Sequence, residues 1–266
     1  MAGSMVYRLR VASSSAEHMS LFIKAMTTLQ ARLDNKGYNY IAGLHGAPQW
    51  YCWHHQRSPR TPVQARLFLP WHRAYLLRLE QLMQDQVPNA ALPWWDWTED
   101  RKIPAAYSSA TISGKSNPLR RFHMQIPKTA RNPAINRNTS RAPGQTPGVR
   151  LPTGQEINDV LQDSDWASFS DRLESYHDDV HVWVGGDMVD ITTAGYDPVF
   201  YAHHCMIDRV WYLWQVKWGN GGVPQDLLDL PLQPFGKTFR QVLDAQALGY
   251  EYASSATSIP VSGGHQ

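Results

Sequence analysis

The segment FLPWHRAYLLRLE at residues 68–80 decides the fold of this chain, because it joins a leucine-rich apolar stripe to a histidine. The apolar residues recur near helical spacing, and Pro70 stands close to the start, where a helix tolerates proline. The segment therefore predicts a helix that carries His72 between Trp71 and Arg73. A lone histidine in such a setting is usually a core residue, so its meaning depends on the other histidines.

Two further segments, HDDVHVWVGG at 177–186 and DPVFYAHHCMIDRVW at 197–211, add a second group of histidines. His177 and His181 are four residues apart, which places them one turn from each other on the same helix face, where they can share one metal ion. His204 follows on another apolar helix and supplies a third nitrogen. The pattern predicts a buried metal site held by imidazole.

The same histidines could serve a zinc hydrolase, but the residues between them do not favour one. A metalloprotease helix reads His-Glu-x-x-His with the glutamate as general base, whereas Asp178, Asp179 and Val180 occupy the intervening positions here. Cys52 and Cys205 are the only cysteines, too few for a disulfide framework or an all-thiolate site. The metal is therefore expected to be held mainly by nitrogen.

A third group of histidines precedes the 68–80 helix. It consists of His45 and the histidines of CWHH at 52–55. His45 and His72 with one of the adjacent pair His54 and His55 give three nitrogens, and the second group gives three more. Six nitrogens divided three and three are the number needed to hold two copper ions close enough to bridge a dioxygen molecule. Imidazole also suits zinc, iron and nickel, so residue type alone does not select copper.

Composition limits the protein in which this site is embedded. With 266 residues, 42% of them hydrophobic and 18% charged, the chain is expected to form a single domain over residues 1–266, with a core from about 14 to 252. A net charge of +2 predicts neither nucleic acid nor a membrane surface as a partner, and no apolar stretch reaches the length of a membrane span. The N-terminus lacks the pattern of a secretory signal, so a cytoplasmic location is the default expectation.

Helical spacing and end signals predict a mainly α fold, a four-helix bundle around the histidine metal site, with long loops and little β structure. Residues 101–155 are expected to be a basic, loop-rich stretch, because ten Lys or Arg residues and no Asp or Glu occur between 101 and 150. The first predicted helix begins near Ser14. The others span Asn39 to Gly46, Phe68 to Asp85, Thr153 to Gln162, Trp166 to His181 and Pro198 to Trp218.

These motifs resemble those of the tyrosinases, a family of type 3 copper proteins that also includes catechol oxidases and molluscan hemocyanins. The likeness rests on the segments at 68–80, 177–186 and 197–211 and extends from about Tyr40 to Trp218. LGYEY at 248–252 is similar to the end of the family's catalytic domain. By this resemblance copper A is held by His45, His54 and His72, copper B is held by His177, His181 and His204, and His203 is an outer neighbour rather than a ligand.

The middle ligand of copper A is the point at which this sequence departs from the family. Family members usually carry that histidine shortly before the FLPWH stretch, but the position falls on Pro62 or Val63 here. Cys52-Trp53-His54 resembles the Cys-x-His element in which the cysteine forms a thioether to the ligand imidazole. The resemblance therefore implies His54 as the ligand, crosslinked to Cys52, with His55 as the alternative.

Three residues near copper B are implied to act on the substrate. In the family a glutamate before these histidines and an asparagine after the first of them hold a water that accepts the phenol proton. Glu174 matches the glutamate, whereas Asp178 occupies the asparagine position, and a carboxylate cannot donate as an amide would. Val182 resembles the small residue that lines the substrate entrance.

The resemblance implies a tyrosinase, which oxidises monophenols and o-diphenols to o-quinones with two copper ions and O2. The alternatives are a catechol oxidase or o-aminophenol oxidase without monophenolase activity and, more remotely, a hemocyanin-type oxygen carrier. The expected partners are a small phenolic substrate and a copper-loading chaperone chain. The stretch after Trp218 is too short for the shielding domain of some relatives, so an active catalytic core is expected.

Overall fold

The fold is mainly α-helical in a computed structural model that describes residues 5–52 and 66–253. The expected bundle with long loops and little β structure is confirmed over these ranges. The described helices are α1 (Ala16–Gln30), α2 (Tyr38–His45), α3 (Phe68–Gln84), α4 (Ala105–Ser108), α5 (Gly154–Leu161), α6 (Trp166–Val184) and α7 (Val199–Trp218). The described strands are β1 (Val6–Leu9), β2 (Thr111–Ile112), β3 (Lys115–Ser116), β4 (His123–Ile126), β5 (Ile135–Asn138), β6 (Pro231–Leu232), β7 (Lys237–Thr238) and β8 (Tyr250–Ala253).

Side-chain caps explain where several helices begin. Ser15 caps α1 by accepting a hydrogen bond from a backbone amide in its first turn. Thr153 and Glu156 form a capping box at the start of α5, each side chain bonding the backbone N–H of the other. Asp197, which directly precedes the helix predicted from Pro198, accepts a hydrogen bond from the backbone amide of Val199 at 3.0 Å. The predicted helices therefore match the observed bounds within a few residues.

Helix α3 lies at the centre of the bundle and contacts α1, α6 and α7. It is buried along almost its whole length, including the polar side chains of His72, Arg73 and Glu80. Large aromatic side chains fill the space around it, as the tryptophan content suggests. The fully buried tryptophans are Trp71, Trp94, Trp95, Trp97, Trp166, Trp211 and Trp214. None of the helices at 5–52 and 66–253 is both long and apolar enough to cross a lipid bilayer.

The basic stretch at 101–155 contains more regular structure than its composition predicts. It forms the short helix α4 and two antiparallel hairpins, β2 with β3 and β4 with β5. The second hairpin is fixed to α2 by Asn39, whose side chain donates to the carbonyl oxygen of Gln125 at 2.8 Å and accepts from its amide at 2.9 Å. These short elements interrupt a stretch that is otherwise loop and turn, and a side chain of α2 completes the hydrogen bonding of β4.

Strands from opposite ends of the described chain pair in parallel. β1 lies beside β8 with Val6 opposite Tyr250 and Leu9 opposite Ala253. Because the two strands are so far apart in sequence, their pairing carries no local signal. It brings the side chain of Arg8 into the core beneath the bundle, where it is fully buried.

Four buried charged side chains connect β1 to the helices of the bundle. Arg8 bonds Glu80 of α3 at 2.9 Å and Asp208 of α7 at 3.1 Å, and Arg73 of α3 bonds the other oxygen of Asp208 at 2.6 Å. Burial alone would raise the pKa of Asp208, but Arg73 and Arg8 hold it below its usual value. Two positive and two negative charges therefore balance within a core that excludes water.

Candidate metal centre

Four buried histidines gather where α6 faces α7. They are His177 and His181 on α6 and His203 and His204 on α7, and they offer ligand nitrogens that all lie within 4.8 Å of one another. The Nε2 atoms of His177 and His181 lie 3.2 and 3.3 Å from Nε2 of His204. The helical spacing of four residues therefore places the first two imidazoles on one metal-binding face, as the sequence predicts.

Hydrogen bonds at the opposite ring nitrogens determine which tautomers are present. His177 Nδ1 donates to Oδ1 of Asp178 at 3.0 Å, and His181 Nδ1 donates to the carbonyl oxygen of Met188 at 2.6 Å. Both Nε2 atoms are then unprotonated, and both point their lone pairs at His204. A single proton on His204 Nε2 can satisfy only one of them, so the arrangement suits a cation at the centre.

The spacing of the three Nε2 atoms fits a metal ion. The Nε2 atoms of His177 and His181 lie 3.2 and 3.3 Å from that of His204. Two imidazole nitrogens that bind one tetrahedral metal ion at about 2.0–2.1 Å lie roughly 3.3 Å apart, so both distances suit a shared ion. Burial lowers the pKa of His181 and holds the pKa of His204 well below its usual value, so both rings stay neutral and able to bind a cation.

His203 lies beside this triangle. Its ring stacks on His177 at a centroid distance of 5.1 Å and meets His181 edge-on at 5.0 Å. The side chain is fully buried, and that burial holds its pKa well below the usual value. The structure thus places His203 within reach of the same ion, and its role as an outer neighbour rather than a ligand stays a prediction.

A second cluster consists of His45 at the end of α2, His72 on α3, and Cys52. All three are buried, and their ligand atoms lie within 4.8 Å of one another. His72 Nδ1 donates to the carbonyl oxygen of Phe68 one turn earlier at 2.9 Å, so Nε2 is the atom of this ring that can bind a metal ion. That atom lies 3.8 Å from the Cys52 sulfur. His54 and His55, the two candidates for the middle ligand, lie outside the described residues.

The two clusters are neighbours. The rings of His72 and His204 stack at 4.2 Å with an interplanar angle of 13°, and the ring of His45 lies 6.5 Å from that of His204. Phe68 meets the rings of both His72 and His177 edge-on at 4.8 Å, and Phe200 covers His204 at 4.0 Å. These apolar rings exclude water from the nitrogens. The nitrogen donors themselves suit two adjacent soft or borderline metal ions such as copper.

The residues predicted to act on the substrate lie along α6. Glu174 is buried one turn before His177, on the same helix face. The Asp178 side chain is 63% exposed, while its Oδ1 atom holds His177. Val182 is half-buried directly after His181, and its carbonyl oxygen accepts a hydrogen bond from the hydroxyl of Thr146 at 3.4 Å.

The carbonyl oxygen of Met188 is a functional group that the sequence analysis missed. It reaches His181 because the chain turns back after α6 through Gly185 and Gly186, whose φ angles are 67° and 59°. Added Cβ atoms would lie 2.8 Å from the carbonyl oxygen of Ala142 and 2.2 Å from that of Ser140, so only glycine fits these positions. The paired glycines that follow HVWV at 181–184 were the available signal.

Comparison with known proteins gives a consistent result. The family model for the common central domain of tyrosinase matches residues 35–217. The tyrosinase of Streptomyces glaucescens is 30% identical over 253 residues, which are 85% of this chain and 90% of that protein. Hemocyanin 2 of Megathura crenulata is 27% identical over 93% of this chain. This chain spans between 8% and 22% of the length of the first three hemocyanins that it matches.

Solved structures agree with the sequence relatives. A functional unit of octopus hemocyanin superposes with a TM-score of 0.76 at 25% identity, covering 95% of this chain and 71% of that one. The tyrosinase of Burkholderia thailandensis has the same fold, with a TM-score of 0.76 at 21% identity over 97% of this chain and 76% of that one. With the family model covering more than half of its length, the chain belongs to the tyrosinase family of type 3 copper proteins.

Proposed function

We propose that this protein is a copper-dependent phenol oxidase that converts monophenols and o-diphenols to o-quinones with O2. The observation that supports this most directly is the pair of adjacent, buried histidine clusters, in which the Nε2 atoms of His177 and His181 face that of His204 and the ring of His72 stacks on His204. The tyrosinases among its relatives support the choice of reaction. Residues 14–252 would form the catalytic core of one domain.

The clusters and the resemblance to the family support two ligand sets. Copper A would be held by His45 and His72 together with His54, or with His55 in its place. Copper B would be held by His177, His181 and His204, with His203 behind them. When bound, the copper pair would bind dioxygen and carry electrons to it from the phenol. Each o-diphenol gives up two electrons and two protons, and two diphenols reduce one O2 to two waters.

Protein groups near copper B would orient the phenol and take its proton. The apolar edges of Phe68 and Phe200 keep bulk water away from the metals, and Val182 leaves room for an aromatic ring at the entrance. Glu174, buried one turn from His177, is the carboxylate suited to accept the phenol proton. A phenol ring that arrives deprotonated is what monophenol oxidation requires.

Asp178 would have two tasks in this site. Through Oδ1 it fixes the tautomer of His177 and raises the basicity of that imidazole. Its exposed second oxygen can hold a water with Glu174, in place of the amide that relatives use. Asp178→Asn keeps an oxygen that can accept from His177 and removes the charge, so the variant separates the electrostatic effect from the positioning effect.

The Cys52 sulfur faces the copper A cluster, which suits the proposed thioether to His54. The bond would form by loss of the thiol hydrogen and one ring hydrogen, with O2 at the copper-loaded site as the two-electron oxidant. Peptide mass spectrometry of the copper-treated protein would show a mass lower by two hydrogens on a peptide that joins Cys52 to His54. The unaltered mass, with Cys52 still reactive after denaturation, would contradict this part of the proposal.

A copper-loading chaperone chain is the expected partner.

The deciding experiment is oxygen uptake by the copper-loaded protein with tyrosine, tyramine and an o-diphenol in parallel. Uptake with all three supports the proposed tyrosinase, and uptake with the diphenol alone identifies a catechol oxidase. The hemocyanin relatives make an oxygen carrier the second candidate. Reversible change of the optical spectrum with O2, without consumption of any phenol, would replace the enzyme by that carrier.

A further inference from the structure

Three helices of the metal centre meet at a pair of buried tyrosine hydroxyls. The hydroxyl of Tyr75 on α3 lies 2.9 Å from the carbonyl oxygen of Ile41 on α2 and 2.8 Å from the hydroxyl of Tyr201 on α7. Because a carbonyl oxygen only accepts, Tyr75 donates to Ile41, and Tyr201 donates to Tyr75. One hydroxyl therefore bonds α3 to both α2 and α7.

Each residue of this junction lies about one helical turn from a histidine of the site. One turn of an α-helix is 3.6 residues, so each side chain or carbonyl stands directly above or below its histidine on the same helix. A shift at the junction would move the corresponding imidazole by a similar amount. The pairs are Ile41 with His45, Tyr75 with His72, and Tyr201 with His204.

The junction is tightly packed. Tyr75 is fully buried, and its ring stacks with that of His45 at a centroid distance of 6.3 Å and an angle of 21°. A Cβ atom added at Gly195 would lie 3.1 Å from Cβ of His45 and 3.3 Å from the Tyr75 hydroxyl. Burial holds the pKa of Tyr75 well above its usual value, so the hydroxyl keeps its proton and its role as a donor.

We infer that Tyr75 is a positioning residue for the metal pair. Its hydroxyl fixes His45 and His72 on the copper A side relative to His204 on the copper B side, and so sets the spacing of the two ions. This inference rests on the proposed copper function. The spacing matters because two Cu(II) ions couple magnetically only when their ligands hold them close together on a shared bridge.

The test is Tyr75→Phe, which removes the hydroxyl and keeps the ring. Wild-type protein loaded with two Cu(II) ions should give little electron paramagnetic resonance signal, because the two spins cancel. Tyr75→Phe should take up two ions at saturating copper but show a clear Cu(II) signal. Its copper affinity should fall about tenfold, at the lower end of the range for outer contacts of metal ligands.

Tyr107→Phe is the matched control, because Tyr107 is also fully buried and its hydroxyl has no hydrogen-bond partner among the described residues. With two Cu(II) ions bound, it should show as little electron paramagnetic resonance signal as the wild-type protein. A Tyr75→Phe protein that shows no more Cu(II) signal than wild type and has unchanged copper affinity would overturn the inference. If Tyr75→Phe does not fold, Tyr201→Phe decides, since it breaks the link to α7 and should also show the signal. Wild-type protein that fails to bind two coupled ions would instead refute the copper function itself.

Discussion

Asp208→Asn should destabilise this protein strongly although it changes a single atom. The carboxylate of Asp208 accepts hydrogen bonds from Arg73 at 2.6 Å and Arg8 at 3.1 Å. It also accepts from the hydroxyls of Tyr250 at 2.7 Å and Tyr252 at 2.6 Å. An asparagine would place an amide N–H against these donors, would remove the carboxylate partner of Arg73 and would leave Glu80 as the carboxylate partner of Arg8.

The magnitude follows from the unbalanced charge. Removing one partner of a buried ion pair typically costs about 3–5 kcal/mol, because the remaining charge stays desolvated. Asp208 is 3% exposed and both arginines are fully buried, so little water can compensate. With a slope of about 3 kcal/mol per molar urea, the unfolding midpoint should fall by roughly 1–2 M.

The assay is urea unfolding of the metal-free protein at neutral pH, followed by tryptophan fluorescence and far-UV circular dichroism. Metal is left out because its binding would add to the apparent stability. Asp229→Asn is the matched control, since it breaks an ion pair with Arg240 on the surface and should leave the midpoint unchanged. A loss below about 1 kcal/mol for Asp208→Asn would refute the reasoning, because it would place the cluster in the range of ordinary surface changes.

Three further outcomes are expected. Burial would raise the pKa of Asp208, but two buried arginines lower it below 3.8. The stability that this group provides is therefore complete above about pH 4 and declines as the pH falls through the folded pKa; Asp208→Asn should flatten this acid limb of a urea-midpoint titration. Gly195→Ala should cost about 1–3 kcal/mol in urea unfolding, because its Cβ would lie 2.9 Å from a carbonyl oxygen of α2. Gly154→Ala, with nothing within 4 Å of its Cβ, should be neutral or stabilise by about 0.4–1 kcal/mol, and equal losses for both would contradict the packing argument. His204→Ala should lower bound copper from two ions to one per chain by metal analysis, whereas exposed His123→Ala should keep both, and two ions retained in His204→Ala would exclude it as a required ligand.

Sequence patterns predict those parts of the structure whose signals are local. The spacing of His177 and His181 fixes their common helix face, and Asp197 marks the start of α7. The apolar stripe after Pro70 locates the central helix. Each of these depends on residues within one or two turns of one another, so no tertiary contact is needed to predict it.

The remaining parts depend on contacts between distant residues. The pairing of β1 with β8 joins strands of four residues with no local pattern. The hairpin β4–β5 is stabilised by Asn39 of α2, whereas its own composition indicates loop. The carbonyl of Met188 is a backbone group, so no residue type in the sequence indicates its role. The proximity of the two histidine clusters likewise follows only from the packing of α3 against α7.

The pairing of β1 with β8 also sets an order of events during synthesis. Arg8 leaves the ribosome early, but its partners at Asp208 and Tyr252 follow 200 and 244 residues later. At the usual 5–20 residues per second, the strand must wait roughly 10–50 seconds for them. During that interval β1 lacks its partner strand and Arg8 lacks part of its set of partners, so the nascent chain is exposed to aggregation until β8 is synthesised.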